Sequence, residues 1–470
     1  MRYVSTRGQA PVLDFADVLL TGLAADGGLY VPETWPVMSK ADIAALAGLS
    51  YPQVAERIIA PFVGDAIAPA ALRAMIADAY AQFRHPAVAP LVQTGPNDWV
   101  LELFHGPTLA FKDVAMLLLA RLMDHVLEER GARATIVGAT SGDTGGAAIE
   151  AFRGRARTDV FILFPDGRVS DVQRRQMTTA SEDNVHALAL SGNFDDCQAI
   201  VKGLFNDSDF RRQVALSGVN SINWARIVAQ VVYYFTSAVA LGAPHRPVGF
   251  TVPTGNFGDI FAGYVAARMG LPIDRLVIAT NVNDILARTL ETGRYEVRSV
   301  LPTTSPSMDI QVSSNFERLL FETSGRDAGA VNRWMDGLKQ SGSFTLDDAT
   351  LSTIRRHFDA ARTDEAECAA TIKRVLDGAG YLADPHTAVG IAAARKVRID
   401  AGVPMITLST AHPAKFPDAV EAAAGIRPAL PAWLADLHER RERFERLPAE
   451  TAAVAAHIRK ATRVVAEGVE

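Results

Sequence analysis

"ATIVGATSGDTGGAAIEAFRGRARTDVFILFP", residues 134–165, holds the whole grammar of the chain in one short span. An apolar strand, "ATIVGAT", runs into the turn "SGDTGG". The small-residue helix "AAIEAFRG" follows, and then a second apolar strand, "DVFILFP". A strand, a helical crossover and another strand predict a parallel sheet wrapped by helices. The pattern returns at residues 247–281 as the strand "PVGFTVP", the turn "TGNFGD", the helix "IFAGYVAARMG" and the strand "RLVIATN". Upstream, "WVLELF" reads as a strand and "DVAMLLLARLMDHVLEERG" as a helix, with Asp113 as its cap and Gly131 as its stop. "PMITLSTAHPAKFPDAV", residues 404–420, is a further strand and loop. The predicted fold class is α/β.

The first hundred residues follow a different pattern. "GLAADGGLYVPETWP", residues 22–36, is dense in Gly and Pro and predicts turns leading into a short strand. Helices are predicted over 40–47 and 68–82, and Pro86, Pro90 and Pro96 mark a linker. The chain therefore divides into an N-terminal module (1–97), a main region (98–427) and a charged, helical C-terminal tail (428–470).

Composition excludes several classes of function. The 470 residues are 49% hydrophobic and 21% charged, a globular balance with length enough for large cores. A net charge of −6 shows no basic excess for nucleic acid or an anionic membrane. Cys197 and Cys368 are the only two cysteines, which suits a reducing compartment. Asp14 and Asp17 interrupt the first apolar stretch, a poor signal peptide. No apolar run approaches the ~18 residues of a membrane span. A cytoplasmic setting is expected. No His, Cys and carboxylate spacing resembles a metal site.

Ligands of open parallel sheets bind at the carboxyl ends of strands. Three such ends carry small and hydroxyl residues: Thr140-Ser141-Gly142-Asp143-Thr144-Gly145-Gly146, Pro253-Thr254-Gly255-Asn256-Phe257-Gly258-Asp259, and Ser409-Thr410-Ala411-His412-Pro413. The first two place glycines before a helix start, where free N–H groups face an anion. Either one alone is no more than a tight turn, and neither fits a dinucleotide or Walker-type pattern. Ser141 does not lie in G-x-S-x-G, so a hydrolase elbow is not supported.

A single lysine gives these loops chemical direction. Lys112 follows nine uncharged residues, 103–111, where a loop becomes an apolar helix. The positive end of a helix and burial against Leu109 and Phe111 both disfavour its charge. A neutral, desolvated lysine is what Schiff-base chemistry with a carbonyl needs. Read as a surface residue, it would only lay its stem over apolar neighbours. An aldehyde-binding lysine, a phosphate nest and a partner for a ring nitrogen are together the requirements of pyridoxal phosphate.

The motifs "FHGPTLAFKD", "GATSGDTGGAA", "NSINWARI", "PTGNFGD", "DPHTAVG" and "STAHPAKF", with "GLAADGGLYVP" near the start, resemble the threonine synthases of the longer bacterial and fungal type. They extend from residue 22 to residue 416. The resemblance implies the tryptophan synthase β-like fold (pyridoxal-phosphate fold type II) with an N-terminal module and a smaller mobile domain over about 113–240. It implies Lys112 as the cofactor lysine. Gly255, Asn256, Phe257, Gly258 and Asp259 would lie at the cofactor phosphate, and Thr410 at the pyridine nitrogen. Thr140, Ser141, Asp143 and Thr144 would surround the substrate's α-carboxylate, and Asn220 and Arg226 would bind its phosphate. The implied substrate is O-phospho-L-homoserine, the implied products L-threonine and phosphate, and the implied assembly a monomer or homodimer. A carboxylate at Asp143 would repel the substrate's own carboxylate unless a cation intervenes. Two alternatives stay open: a serine/threonine dehydratase or phospho-amino-acid lyase on the same cofactor, and a degenerate cofactor-binding module without activity. His105, His386 and His412 lie in the same motifs, with structural and catalytic roles both open.

Overall fold

The computed structural model describes residues 1–140, 142–397 and 400–464. Two parallel sheets organise it. The larger contains β1 (Leu91–Gln93), β2 (Asp98–Glu102), β7 (Val248–Pro253), β8 (Ile273–Thr280), β9 (Phe358–Arg362) and β10 (Met405–Ser409), in the spatial order β9-β8-β7-β10-β2-β1. All neighbours are parallel except the β1–β2 pair. The smaller contains β3 (Ala134–Ala139), β4 (Thr158–Pro165), β5 (Val185–Ser191), β6 (Leu216–Ser217) and β11 (Glu445–Pro448), in the order β11-β5-β4-β3-β6, all parallel. β4 is buried at every position, because a parallel strand covered by helices on both faces has no solvent side.

The larger sheet has a switch point. The chain leaves β7 outward through β8 and β9, then returns to insert β10 between β7 and β2. Three adjacent strands, β7, β10 and β2, thereby deliver the 254–259 turn, the 410–415 loop and the loop to Lys112 at one edge, the crevice where such sheets bind ligands.

Helix α1 (Lys112–Glu129) starts one residue before Asp113, with Phe111 at its N-cap. Asp113 is therefore not the cap that the sequence suggests. Its buried carboxylate reaches back to accept the Thr108 N–H (2.8 Å) and the Thr108 hydroxyl (2.5 Å). The chain enters α1 through Leu109 at φ 60° and Phe111 already in helical geometry. The N-cap position itself is helical and makes no side-chain capping bond.

The N-terminal module pairs Tyr3–Ser5 with Tyr30–Pro32 and carries helices over Lys40–Ala44, Tyr51–Val63 and Pro69–Tyr80. The Tyr51–Val63 helix escapes a sequence reading because it contains Pro52 and Pro61, the first in its opening turn. The module packs on α4 (Trp224–Ala240), where the Trp224 ring meets Tyr3 and Phe62 at 5.9 and 6.0 Å. The tail is not wholly helical. Thr451–Ala461 is a helix, but β11 joins the smaller sheet beside β5. Its four residues, "ERLP", have no apolar run, so only non-local pairing makes them a strand. No helix among the described residues is long and apolar enough to cross a membrane.

Candidate cofactor and substrate site

Lys112 stands in the first turn of α1, half-buried, its Nζ 5.8 Å from the centre of the Phe111 ring. Burial lowers its ammonium to about 8. Asp143 opposes that shift, while Arg226 and Lys415 add to it and Asp113 opposes it weakly. An amine lowered this far is free base in about a tenth of the molecules at pH 7, far more than an ordinary lysine, and the free base is the nucleophile. Asp113 beside it is raised to about 7 by burial, against the two Thr108 hydrogen bonds.

The 254–259 turn leads into α5 (Gly258–Arg268). The first N–H groups of a helix have no partner within it, and here they point to the β7–β10 crevice side of the sheet. Phe257, the N-cap, is held at φ 64°, a left-handed conformation that a non-glycine side chain adopts only where its surroundings enforce it. Its buried ring packs on Phe316 and Phe358. A Cβ at Gly255 would lie 2.7 Å from the Ser307 carbonyl, so only glycine fits. Ser313 Oγ donates to the Gly255 carbonyl (2.6 Å), and Asn315 donates its backbone N–H and its amide to the Asn256 carbonyl (3.0 and 2.9 Å). The turn's carbonyls are thus tied outward and its amides left for an anion. Asp259 is different: its carboxylate accepts from the hydroxyls of Tyr233 and Tyr234, and burial raises it to about 7. Its side chain belongs to the packing of α4 on α5, which leaves only its backbone N–H to face a phosphate.

Thr410 follows β10 and is nearly buried. Its carbonyl accepts from the Phe111 N–H (2.9 Å), which holds it next to Lys112. Its hydroxyl makes no hydrogen bond among the described residues. The neighbouring hydroxyls are engaged: Ser409 Oγ meets Thr387 Oγ1 at 2.8 Å and accepts from Tyr381 at 3.3 Å.

Helix α2 (Asp143–Phe152) opens the smaller sheet's contribution. Thr140 Oγ1 accepts from the N–H groups of Gly142 (2.9 Å) and Gly145 (3.0 Å), so this hydroxyl shapes the turn from within. Gly142, at φ 149°, lies where a Cβ would overlap Gln173. Gln173 in turn donates to Asp143 Oδ1 (2.9 Å). Thr144 is half-buried, and its hydroxyl makes no hydrogen bond among the described residues. Ser141 lies outside the described residues. Burial alone would raise the Asp143 carboxyl, but Lys415 at 2.8 Å, with Lys112 and Gln173, holds it well below the usual carboxylate range. Lys415 is the intervening cation that the sequence argument required. It is completely buried, and its other contact is the Thr108 carbonyl (2.7 Å). It was legible in principle: "HPAKF" sets a second lysine after an uncharged run, as "LAFK" does the first.

Arg226, in the first turn of α4, is buried and has no ion pair among the described residues. One Nη donates to the Val219 carbonyl (3.2 Å), and its buried Nε has no partner. Burial lowers it to about 10, with Tyr233 opposing. The structure brings it to Lys112, whose charge it repels. Asn220, by contrast, has its side chain exposed on the loop before α4. Sequence reasoning missed Arg318. That buried guanidinium bridges the Tyr30 and Ile222 carbonyls (3.0 and 2.6 Å) and the Asn315 side chain, and so links the loop before α4 to the residue that holds the 254–259 turn.

Two of the motif histidines have structural duties. His386 Nε2 accepts from the Ser307 N–H (3.3 Å), so its proton is on Nδ1 and is donated to Asp384 (2.7 Å). It anchors the segment that walls Gly255. His412 Nδ1 accepts from the Ala414 N–H (3.1 Å), and burial lowers it to about 4. His105 Nε2 meets Glu102 at 2.7 Å. Among the described residues, no cluster of three or more His, Cys, Asp or Glu side chains could hold a metal ion.

A lysine of lowered basicity, a turn cleared for a phosphate, a hydroxyl just beyond the adjacent strand and an unpartnered buried Arg226 Nε fit pyridoxal phosphate and an anionic substrate. Fold and site together define a pyridoxal-phosphate-dependent enzyme of the tryptophan synthase β-like class. Comparison with known proteins agrees and narrows it. The family described as pyridoxal-phosphate dependent enzyme matches residues 89–409, threonine synthase N terminus matches residues 2–80, and threonine synthase, C-terminal, matches residues 387–458. The chain is 56% identical to a threonine synthase of Pseudomonas aeruginosa over 97% of its length and 98% of that protein's. It is 44% identical to that of Saccharomyces cerevisiae over 89% and 88%. The crystal structure of PLP-bound threonine synthase from Brucella melitensis superposes with a TM-score of 0.97 at 64% identity, covering 98% of this chain and 100% of that one. The yeast threonine synthase structure gives 0.94 at 41% identity, covering 98% of each. The chain belongs to the threonine synthase family, pyridoxal-phosphate-dependent lyases, and its function is that of the family.

Proposed function

We propose that this chain converts O-phospho-L-homoserine and water to L-threonine and phosphate, in the cytoplasm, as a monomer or homodimer without nucleic-acid or membrane partners. One observation carries the substrate: Arg226, a buried guanidinium with an unpartnered Nε and no carboxylate opposite it, beside Lys112. Once the α5 turn holds the cofactor's phosphate, a second anion-ready cation has no use in a dehydratase for unphosphorylated serine or threonine.

Pyridoxal phosphate, when bound, supplies an aldehyde for a lysine amine and a ring that accepts the electron pair left by proton removal. Lys112 is the residue that holds it. Gly255, Asn256, Phe257, Gly258 and the N–H of Asp259 receive its phosphate, and the Thr410 hydroxyl faces its ring nitrogen. A neutral hydroxyl there does not force a proton onto the nitrogen, as a carboxylate would. Thr140, Ser141, Asp143 and Thr144 form the turn at the substrate's α-carboxylate. Thr144 offers a direct hydroxyl, and Thr140 and Asp143 hold the turn in shape. Lys112 Nζ takes the proton from Cα and then from Cβ; as the phosphate leaves, Cγ gains a proton and becomes the methyl carbon, water adds its hydroxyl at Cβ while its own proton goes to the released phosphate, and a proton returns to Cα. Arg226, with Asn220, binds the γ-phosphate, whose charge grows as the Cγ–O bond breaks. Residues 1–97 form one module and 98–427 the catalytic region. The mobile part, 113–240, closes on substrate to exclude water, and the tail from 428 travels with it through β11.

The test is direct. Purified, cofactor-loaded protein is given O-phospho-L-homoserine, and the products are identified. Threonine with equimolar phosphate is expected. Phosphate with 2-oxobutanoate would establish a lyase that stops after elimination, and no phosphate release would remove the substrate assignment.

A further inference from the structure

A buried ion pair joins the two sheets across the cleft. Asp143 opens α2, behind β3 of the smaller sheet. Lys415 follows β10 of the larger one, its ammonium 2.8 Å from Asp143 Oδ1. The same ammonium donates to the Thr108 carbonyl (2.7 Å), which also accepts from Gln176 Nε2 (3.1 Å) in the helix Asp171–Thr178. Thr108 is the residue that seats Asp113, the next residue after Lys112. Lys415 thus touches the carboxylate of one loop and the backbone of the other.

We propose that Lys415 is a positioning residue for the reaction: its ammonium bridges the two sheets, fixes Asp143 as an anion beside Lys112, and keeps the Lys112 loop in register with the α2 turn. The inference rests on the reading that Lys112 carries the cofactor. A buried ion pair adds little to stability over an apolar pair of the same shape, so its retention at this position calls for a reason in the site. The charges facing Lys112 supply one. Asp143 and Asp113 favour its ammonium, and Arg226 and Lys415 oppose it. Lys415 acts on the amine directly by repulsion and indirectly by holding Asp143 in place.

Three variants separate this role from mere packing. Lys415→Gln keeps amide donors for both acceptors and removes the charge. Asp143→Asn removes the anion. The double variant removes both charges and leaves no buried ion unpaired. The full chain, freed of cofactor with hydroxylamine, is acetylated across a pH series, and the yield on the Lys112 peptide is read by mass spectrometry. Lys112 should titrate higher by about one pH unit in Lys415→Gln, lower in Asp143→Asn, and within about half a unit of wild type in the double variant. In the loaded enzyme kcat should fall about tenfold or more in each single variant. Should Lys415→Gln fold poorly, the double variant, with no lone buried charge, still reports the cancellation. Lys112 titrating alike in wild type and Lys415→Gln, or no cancellation in the double variant, overturns the proposal. Borohydride fixation of the cofactor keeps the two readings apart. A label on the Lys112 peptide with no movement of its titration sinks the role of Lys415 alone, whereas a label on another lysine removes the reading beneath it.

Discussion

Arg226→Met should make the ligand-free protein more stable and the enzyme nearly inactive. The guanidinium is buried, one Nη reaches only a backbone carbonyl at 3.2 Å, and Nε reaches nothing. Burial lowers it well below the ordinary guanidinium range, to about 10. At about 1.4 kcal/mol per pH unit, keeping that charge inside costs the folded chain on the order of 3 kcal/mol at neutral pH. The sign follows from linkage. A base whose folded value is depressed is destabilising wherever it is charged in both states, below about 10, and the cost is relieved only as pH rises from there toward the ordinary guanidinium range. Methionine keeps the stem's packing and removes the charge, so the melting temperature should rise by one to several degrees. Binding shows the opposite sign. Truncating a buried charge-assisted contact costs about 2–5 kcal/mol, so kcat/KM for O-phospho-L-homoserine should fall roughly 30-fold to several thousand-fold. In the cofactor-loaded protein, where the 254–259 turn is already filled, inorganic phosphate should raise the melting temperature of the wild type and not of the variant. Calorimetry with and without phosphate, beside steady-state kinetics, measures both halves. A variant that melts lower, or that keeps turnover within about threefold, refutes the assignment of Arg226 as an anion site held ready at the expense of stability.

The other predictions concern the cofactor. Lys112 titrates near 8 in the ligand-free chain, so the rate of pyridoxal phosphate uptake should rise about tenfold per pH unit below 8 and level off above it; a flat rate between pH 6 and 8 would place the reacting amine elsewhere. Gly255→Ala puts a methyl 2.7 Å from the Ser307 carbonyl and must displace the turn, weakening cofactor affinity about tenfold or more with the fold retained; equilibrium dialysis decides this, and unchanged affinity would mean the phosphate sits elsewhere. Thr410→Val removes one hydroxyl and keeps its shape, costing roughly 1–3 kcal/mol and tenfold to a hundredfold in kcat, and an unchanged kcat would show that another group faces the ring nitrogen.

Much of this was legible in the chain itself because its signals are local. Strand–turn–helix alternation is set by which residues are apolar, small or helix-breaking within a few positions of one another, and it holds at 134–165 and 247–281 as read. The uncharged run before Lys112 is legible for the same reason, since residues 103–111 precede it directly, whereas the charges that face it come from distant segments. Tertiary structure alone decided the rest. Nothing near residues 405–409 says that this strand inserts between 248–253 and 98–102, yet that insertion places Thr410 and Lys415 at Lys112. Asp113 looks like a helix cap and instead serves Thr108, because the left-handed Leu109 folds the loop back over it. Asp259 looks like part of an anion nest, and its carboxylate goes to two tyrosines of another helix. The charge of Asp143 was a puzzle in sequence because its counter-ion lies hundreds of residues away and meets it only across two sheets. A sequence displays which groups are polar; which of them are paired after burial depends on distances that only the folded chain sets.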